Sequence, residues 1–364
     1  MNIRFIDAGT VPGLRSQSIY HGLGYAQRPN TPNTIVLATP ETPYMCIGFF
    51  QDVENELDLK YCKEKKLPII RRETGGGAVY IDKGQLFVQW IFQQDSLPRR
   101  VDKRFELFVK PLIETYKFFG INAYYHPIND VHVGAKKIVG TGAGTIGEAQ
   151  IVTGNFMFDF DYEMMLNSIN VPTKEFRLMV AKNLNEYLTN MKRELIQLPE
   201  RDEVIKVYFT KCREILGLNI EMGDFTNEEL MQMEKVENKF LEEKWLFQNK
   251  RKSSRNKLFK IHLDVWIAYV NTDLENGSIN ALLTMKGNHI TEIKLGISNN
   301  IKVDYSISKL EKSLVGVLME KDSITKKVMS VQGVENINGW VECIYKAKEL
   351  QLQQVGNGTM ARSN

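Results

Sequence analysis

Cysteine is scarce in this chain: Cys46, Cys62, Cys212 and Cys343 are the only four in 364 residues, and no two form a CxxC pair. That scarcity excludes a disulfide-built scaffold and fits reduced thiols in a cytoplasmic protein. No run approaches the ~20 apolar residues of a membrane-spanning helix. The opening residues, Met1-Asn2-Ile3-Arg4-Phe5-Ile6-Asp7, lack both a basic stretch leading into an apolar core and the Arg- and Ser-rich character of a transit peptide. Neither sign of charge prevails, because 47 Lys and Arg stand against 44 Asp and Glu. The resulting +3 is too small to indicate a nucleic-acid partner. The expectation is therefore cytoplasmic localisation with neither a membrane nor a nucleic acid as partner.

Length and composition are those of a globular protein of two or three domains. The first 200 residues read as mixed α/β, with short β-branched or aromatic runs at Thr34–Leu37, Leu67–Ile70, Ala78–Ile81 and Leu86–Phe92. Apolar residues at Phe105, Phe108, Leu112, Tyr116 and Phe119 have helical spacing, with Pro111 as a kink and Gly120 as a stop. Thr226-Asn227-Glu228-Glu229 has the spacing of a capping box before a charged helix reaching Trp245. A basic segment follows, carrying Lys250, Arg251, Lys252, Arg255, Lys257 and Lys260. It is either a solvated linker or a surface that steers an acidic partner. Beyond it, Lys257–Val270 and Ala281–Leu295 read as strands, with Lys286-Gly287-Asn288 as a hairpin turn. Ser308-Lys309-Leu310-Glu311 reads as the cap of a helix, and residues 351–364 read as a flexible tail.

The richest segment is Ile69-Ile70-Arg71-Arg72-Glu73-Thr74-Gly75-Gly76-Gly77-Ala78-Val79-Tyr80. Two arginines, planar and permanently charged, run directly into three glycines that expose bare backbone. The combination points to an anion site. A phosphate-binding P-loop requires a Lys after its glycines and then a helix, whereas here a strand follows. The dinucleotide fingerprint GxGxxG is missing too. The glycines therefore join two strands, either as a ligand-free hairpin or with a ligand against the backbone. A second segment, Asn129-Asp130 followed by Lys136-Lys137-Ile138-Val139-Gly140, places an ammonium beside a strand, with Lys137 the candidate and Lys136 its exposed neighbour.

Together these segments resemble the lipoate–protein ligase A family. Its pattern RRxTGGGAVxHD reads here as Arg71–Asp82, its G-N or G-Q step as Gly84-Gln85, and its G-x-K-I-x-G as the stretch ending Lys137-Ile138-Val139-Gly140. The resemblance covers about residues 1–250. It implies an α+β fold: a mixed-sheet biotin/lipoate ligase-like catalytic domain over 1–250 and a smaller α/β accessory domain over 256–350. It also implies an ATP-dependent ligase that activates lipoate to lipoyl-AMP, then transfers the lipoyl group to a lysine of a carrier domain. Carriers of this kind are 2-oxoacid dehydrogenase E2 subunits or the glycine cleavage H protein. Mg2+ would accompany ATP. By resemblance, Lys137 is catalytic, and Arg72, Gly75, Gly76, Gly77, Ala78, Val79, Tyr80 and Lys137 bind nucleotide. Arg72, Gly76, Gly77 and Lys137 would contact lipoate.

Three departures from the family pattern bear on function. Its HD reads Ile81-Asp82, its HHGT-like stretch reads Val152-Thr153-Gly154-Asn155, and Gly84-Gln85-Leu86 is closer to the related octanoyltransferases. An ATP-independent acyltransferase is therefore the rival, with a non-catalytic lipoate-binding homologue as a third reading. The transferases need a cysteine nucleophile. In one class it would stand at Tyr124–Pro127 and in the other at Asn170–Thr173, and neither stretch holds a cysteine. The GRGRxxxGR-type loop of biotin ligases is likewise not what Arg71–Gly77 spells.

Overall fold

A computed structural model describes residues 2–217, 219–250, 254–262, 264–275, 277–298 and 305–360. Arg251 and Lys252 of the basic segment lie outside the described residues. The chain divides into two compact units, one of residues 1–170 with 185–251 and one of residues 171–184 with 252–364.

The first unit begins β1 (Asn2–Val11), α1 (Gly13–Ala26), β2 (Asn33–Pro40), β3 (Tyr44–Ile47), α2 (Val53–Glu56) and α3 (Leu59–Glu64). Next come β4 (Ile69–Arg71), β5 (Val79–Ile81), β6 (Gln85–Gln93) and α4 (Val101–Phe118). Five strands follow closely: β7 (Ala123–His126), β8 (Asp130–Val133), β9 (Lys136–Gly140), β10 (Gly142–Ile146) and β11 (Ala149–Met157). After α5 (Tyr162–Ser168) comes α6 (Lys174–Tyr187), most of which belongs to the second unit. The first unit closes with α7 (Met191–Glu194), α8 (Arg201–Leu216), β12 (Asn219–Met222), α9 (Asn227–Leu241) and α10 (Glu243–Leu246).

Six strands form the main sheet in the order β10-β11-β6-β2-β1-β12. It is mixed, as expected: β1 runs parallel to β2 and β12, while β2, β6, β11 and β10 alternate in direction. Its central strand β6 is buried on both faces, which explains its unbroken apolar sequence. Leu86, Val88, Trp90 and Phe92 face a core shared with α4 and α8, whereas Ile91 joins Ile19, Tyr20 and Leu23 of α1 on the opposite face. Pro111 sits buried inside α4 without ending it, and Gly120 stops the helix with φ +86°. The capping box at Thr226 and Glu229 forms as read, but the charged helix breaks at Glu242 before α10 carries Trp245.

In the second unit an antiparallel meander, β13 (Lys257–His262), β14 (Val265–Leu274), β15 (Gly277–Lys286) and β16 (His289–Ser298), packs with α11 (Tyr305–Leu314), α12 (Lys321–Met329) and α13 (Ile337–Met360). The run Lys257–Val270 is two strands, because the chain reverses between His262 and Val265. Ser308 lies within α11 rather than capping it, and Glu311 instead accepts from the Leu295 amide at 2.7 Å. The segment read as a flexible tail is helical through Met360; residues 361–364 lie outside the described residues. Residues 171–184 also belong here, tied by Lys182 to Glu292 at 2.6 Å and Asn183 to Thr284 at 3.4 Å.

Candidate functional site

The arginine–glycine segment is not a hairpin. β4 and β5 lie on opposite edges of β3, β4 parallel and β5 antiparallel to it, so residues 72–78 cross the end of β3. At that end stands Gly48, where a Cβ would sit 2.1 Å from the Gly76 carbonyl oxygen. Glycine at 48 is therefore required for the loop to close down, and glycine at 76 by its φ of +98°.

The two arginines do different work. Arg71 is fully buried: its Nη1 donates to the carbonyls of Gly48, Phe49 and Gln51 at 3.2, 2.8 and 2.7 Å. Its Nε and Nη2 both donate to Leu246 O, at 3.0 and 2.6 Å. Arg72 turns back on its own loop. Nε and Nη2 donate to Gly75 O at 3.1 and 2.8 Å, Nη2 also to Gly77 O at 2.9 Å, and Nη1 to Cys46 O at 3.3 Å. With the loop's carbonyls drawn onto this guanidinium, the amide N–H groups of Gly75, Gly76 and Gly77 have no acceptor among the described residues. Successive unclaimed amides form an anion-binding concavity. Around them Gly76, Gly77 and Val79 are exposed, whereas Tyr80 is buried and its ring meets Phe160 edge-on.

Sequence reasoning missed the residues that hold this loop from behind. Buried His21 on α1 accepts the Glu73 amide on Nε2 at 3.1 Å and contacts Gln17 O through Nδ1 at 2.8 Å. The amide can only donate, so Nε2 is unprotonated, and burial pushes the imidazole down from 6.5 to about 4. The Glu73 carboxylate accepts from Tyr25 Oη at 2.6 Å and from Lys239 Nζ at 2.6 Å. Lys239 in turn lies 3.9 Å over the Trp245 ring. His21 and Lys239 are distant from the motif in sequence, and neither belongs to a pattern that could have flagged it.

Lys137 lies on β9, half-buried like Lys136, with Nζ 2.8 Å from the Asp130 carboxylate on β8. Its side chain folds over Gly140, where a Cβ would lie 3.3 Å from Lys137 Cε. Four residues on, a Cβ at Gly144 would meet Thr74 of the glycine loop at 3.0 Å. One short stretch of chain, Gly140–Gly144, thus runs from beneath Lys137 to beneath the glycine loop.

The departures also find places. Ile81 packs with Tyr44, Cys46, Ile70, Val236 and Phe240, so an apolar cluster occupies that position. Asn155 donates to Gln85 Oε1 at 2.8 Å, joining two of the altered stretches across β11 and β6. All four cysteines are free and buried. Burial pushes every one of their thiols up, Cys343 to about 11, and even Cys46 beside the Arg72 guanidinium stays above its usual value.

Residues 23–213 match the lipoyl protein ligase A/B catalytic domain. The chain is 26% identical over 240 residues to lipoate-protein ligase A subunit 1 of Thermoplasma acidophilum, covering 63% of this chain and 88% of that one. It is 25% identical to a lipoate–protein ligase of Streptococcus pyogenes, over 78% of this chain and 81% of that one. It is also 23% identical to the octanoyltransferase LipM of Anoxybacillus flavithermus, over 67% of this chain and 97% of that one. Among solved structures, a bi-partite lipoate protein ligase with its E2 lipoyl domain from T. acidophilum matches with TM-score 0.63 at 24% identity, over 70% of this chain and 99% of that one. Lipoate-protein ligase A bound with ATP matches with TM-score 0.58 at 22% identity, over 68% of this chain and 99% of that one. P. falciparum LipL1 in complex with lipoate matches with TM-score 0.55 at 15% identity, over 94% of this chain and 98% of that one.

Proposed function

Because the chain belongs to the lipoyl protein ligase A/B catalytic domain family, we propose that it is an ATP-dependent lipoate–protein ligase. The observation that carries this reading is the loop of unclaimed Gly75–Gly77 amides, linked through Gly140–Gly144 to the Lys137 ammonium. Bringing a carboxylate against a triphosphate sets anion against anion, so fixed donors and a mobile cation are what that reaction needs.

In the first half-reaction a lipoate carboxylate oxygen bonds to the α-phosphorus of ATP, and the bond to the β-phosphate oxygen breaks, releasing pyrophosphate. The Gly75–Gly77 amides, with Ala78 and Val79, would receive phosphate oxygens. Lys137 would move from Asp130 to bridge the carboxylate and the α-phosphate. Arg72, whose donors already hold Cys46, Gly75 and Gly77, acts here as a positioning residue for the loop, and its contact with phosphate or lipoate runs through those amides. In the second half-reaction a lysine amine of a lipoyl carrier domain bonds to the acyl carbon. AMP leaves, the amine loses a proton, and Lys137 again faces the charge that develops.

Mg2+ would arrive with the nucleotide. Asp130, a buried carboxylate beside Lys137, is an oxygen ligand of the type that ion takes together with phosphates. When bound, the ion neutralises phosphate charge.

The cysteines support a ligase over an octanoyltransferase. A thioester intermediate needs an accessible sulfur with appreciable thiolate character, and each of the four is buried with its thiol raised. Pure protein with lipoate, ATP and magnesium should release pyrophosphate and lipoylate a carrier domain, and Lys137→Ala should abolish both. Acyl transfer from a carrier thioester without ATP, with a hydroxylamine-sensitive mass on one cysteine, would establish the transferase instead.

A further inference from the structure

The glycine loop opens on a carboxylate. Glu73 precedes Gly75 by two residues, a Cα separation of at most ~7 Å, and its side chain is only 12% exposed. That separation is shorter than the ~8 Å over which physiological salt screens charge. A nearly buried negative charge beside an anion site opposes the binding of a polyphosphate. Three groups surround Glu73: its amide donates to His21 Nε2 at 3.1 Å, and its carboxylate accepts from Tyr25 Oη and Lys239 Nζ, each at 2.6 Å. His21, accepting that amide, is kept neutral by burial, and a phenol is uncharged near neutral pH. Of the three, Lys239 alone is cationic.

The pattern of charge along α9 singles this lysine out. Where α9 meets α1 it supplies the carboxylates, Glu237 to Arg15 and Glu228 to Arg28. The polarity reverses at Lys239 in its last turn, where an ammonium meets the loop. On its other side Lys239 lies 3.9 Å over the Trp245 ring, and Trp245 Nε1 donates to Arg71 O at 2.9 Å. The ammonium is thus fixed between the Glu73 carboxylate and an indole tied to the strand that enters the loop. Arg72, the other cation here, directs its donors to the carbonyls of Cys46, Gly75 and Gly77. With Arg72 and Lys239 set against Glu73, the head of the loop is net positive; without Lys239 it is neutral.

We propose that Lys239 is an electrostatic positioning residue of the anion site: it cancels the Glu73 carboxylate, so that a bound polyphosphate meets the Gly75–Gly77 amides free of an opposing charge. This rests on the ligase reading for the identity of the anion, the ATP triphosphate. Removing one partner of a nearly buried pair leaves the other charge uncompensated, whereas removing both does not. Lys239 and Glu73 should therefore be coupled through charge, not only through the fold of the loop.

The test is a double-mutant cycle read by calorimetric titration of the full chain with MgATP. In about 50 mM NaCl, Lys239→Met should weaken MgATP binding about tenfold, the scale of one uncompensated charge at this range. Glu73→Gln, which still accepts from Tyr25, should bind MgATP at least as tightly as wild type. The double variant should return to within about threefold of wild type. In about 300 mM NaCl the deficit of Lys239→Met should narrow, because salt screens the repulsion. A purely structural Lys239 would give a double variant as weak as Lys239→Met and a deficit independent of salt. Either result, or a wild type that binds no MgATP, would overturn the inference. If MgATP binds with this coupling but lipoate drives no pyrophosphate release, the ligase reading fails while the role of Lys239 stands.

Discussion

A single hydrogen atom separates what the glycines at 48 and 75 permit. At Gly48 an added methyl would lie 2.1 Å from the Gly76 oxygen, whereas at Gly75 nothing lies within 4 Å. Gly48→Ala should therefore displace the loop, lowering thermal stability and cutting adenylation together. Gly75→Ala should leave the melting temperature within about 2 °C, because a surface change in open space costs at most ~0.5 kcal/mol. If a ligand lies against that backbone, the same variant should still weaken ATP binding about tenfold. Melting curves with calorimetric ATP affinity check both, and unaltered affinity in Gly75→Ala would remove the loop from the nucleotide site. Arg71 and Arg72 carry the same lesson: adjacent and identical in sequence, one is an interior clamp and the other a loop organiser.

Among elements, the short helix α10 is fixed to the site by the chemistry of Arg71. Leu246 O receives two donors from that guanidinium, and Trp245 Nε1 donates back to Arg71 O at 2.9 Å. Lysine cannot reproduce the fork. Arg71→Lys should leave buried carbonyls at Gly48, Gln51 and Leu246 short of donors, costing on the order of 3 kcal/mol in urea unfolding. It should also slow adenylation, because the chain at 48–51 supports the glycine loop. A variant as stable as wild type would contradict this account. The apolar strands and the amphipathic α4 were legible because one period repeats over many residues. The glycine segment was legible as a connection between two strands, but its crossing of β3 was not, because β3 precedes both flanks in sequence and leaves no local mark.

For the molecule as a whole, acid sensitivity follows from His21. Its imidazole titrates at about 4 when folded against 6.5 as a free side chain, so below 6.5 the unfolded chain binds the extra proton. Stability is complete above 6.5 and declines as pH falls toward 4, by on the order of 3 kcal/mol from this group. Protonation would also deny the Glu73 amide its acceptor and release the loop. Denaturant titrations at pH 7 and 4.5 should show the loss, and His21→Gln should flatten it. An equal pH dependence in the variant would assign the loss to other groups. The division into units is likewise a property of the whole. Residues 171–184 belong with the C-terminal residues, although residues 185–251 of the first unit follow them in sequence.

By itself the sequence determined the apolar strand runs, the capping box at Thr226, the family resemblance and the two motifs, because each is a short-range pattern of residue types; the Ser308 cap and the single run Lys257–Val270 were not borne out. Tertiary structure decided what those motifs do. It turned Arg72 inward onto carbonyls, freed the glycine amides, set Lys137 against Asp130, and brought His21 and Lys239 from distant helices to Glu73 at the head of the glycine loop. Hydrogen-bond direction and burial arise only when remote parts of a chain meet, so no local pattern could have recorded them.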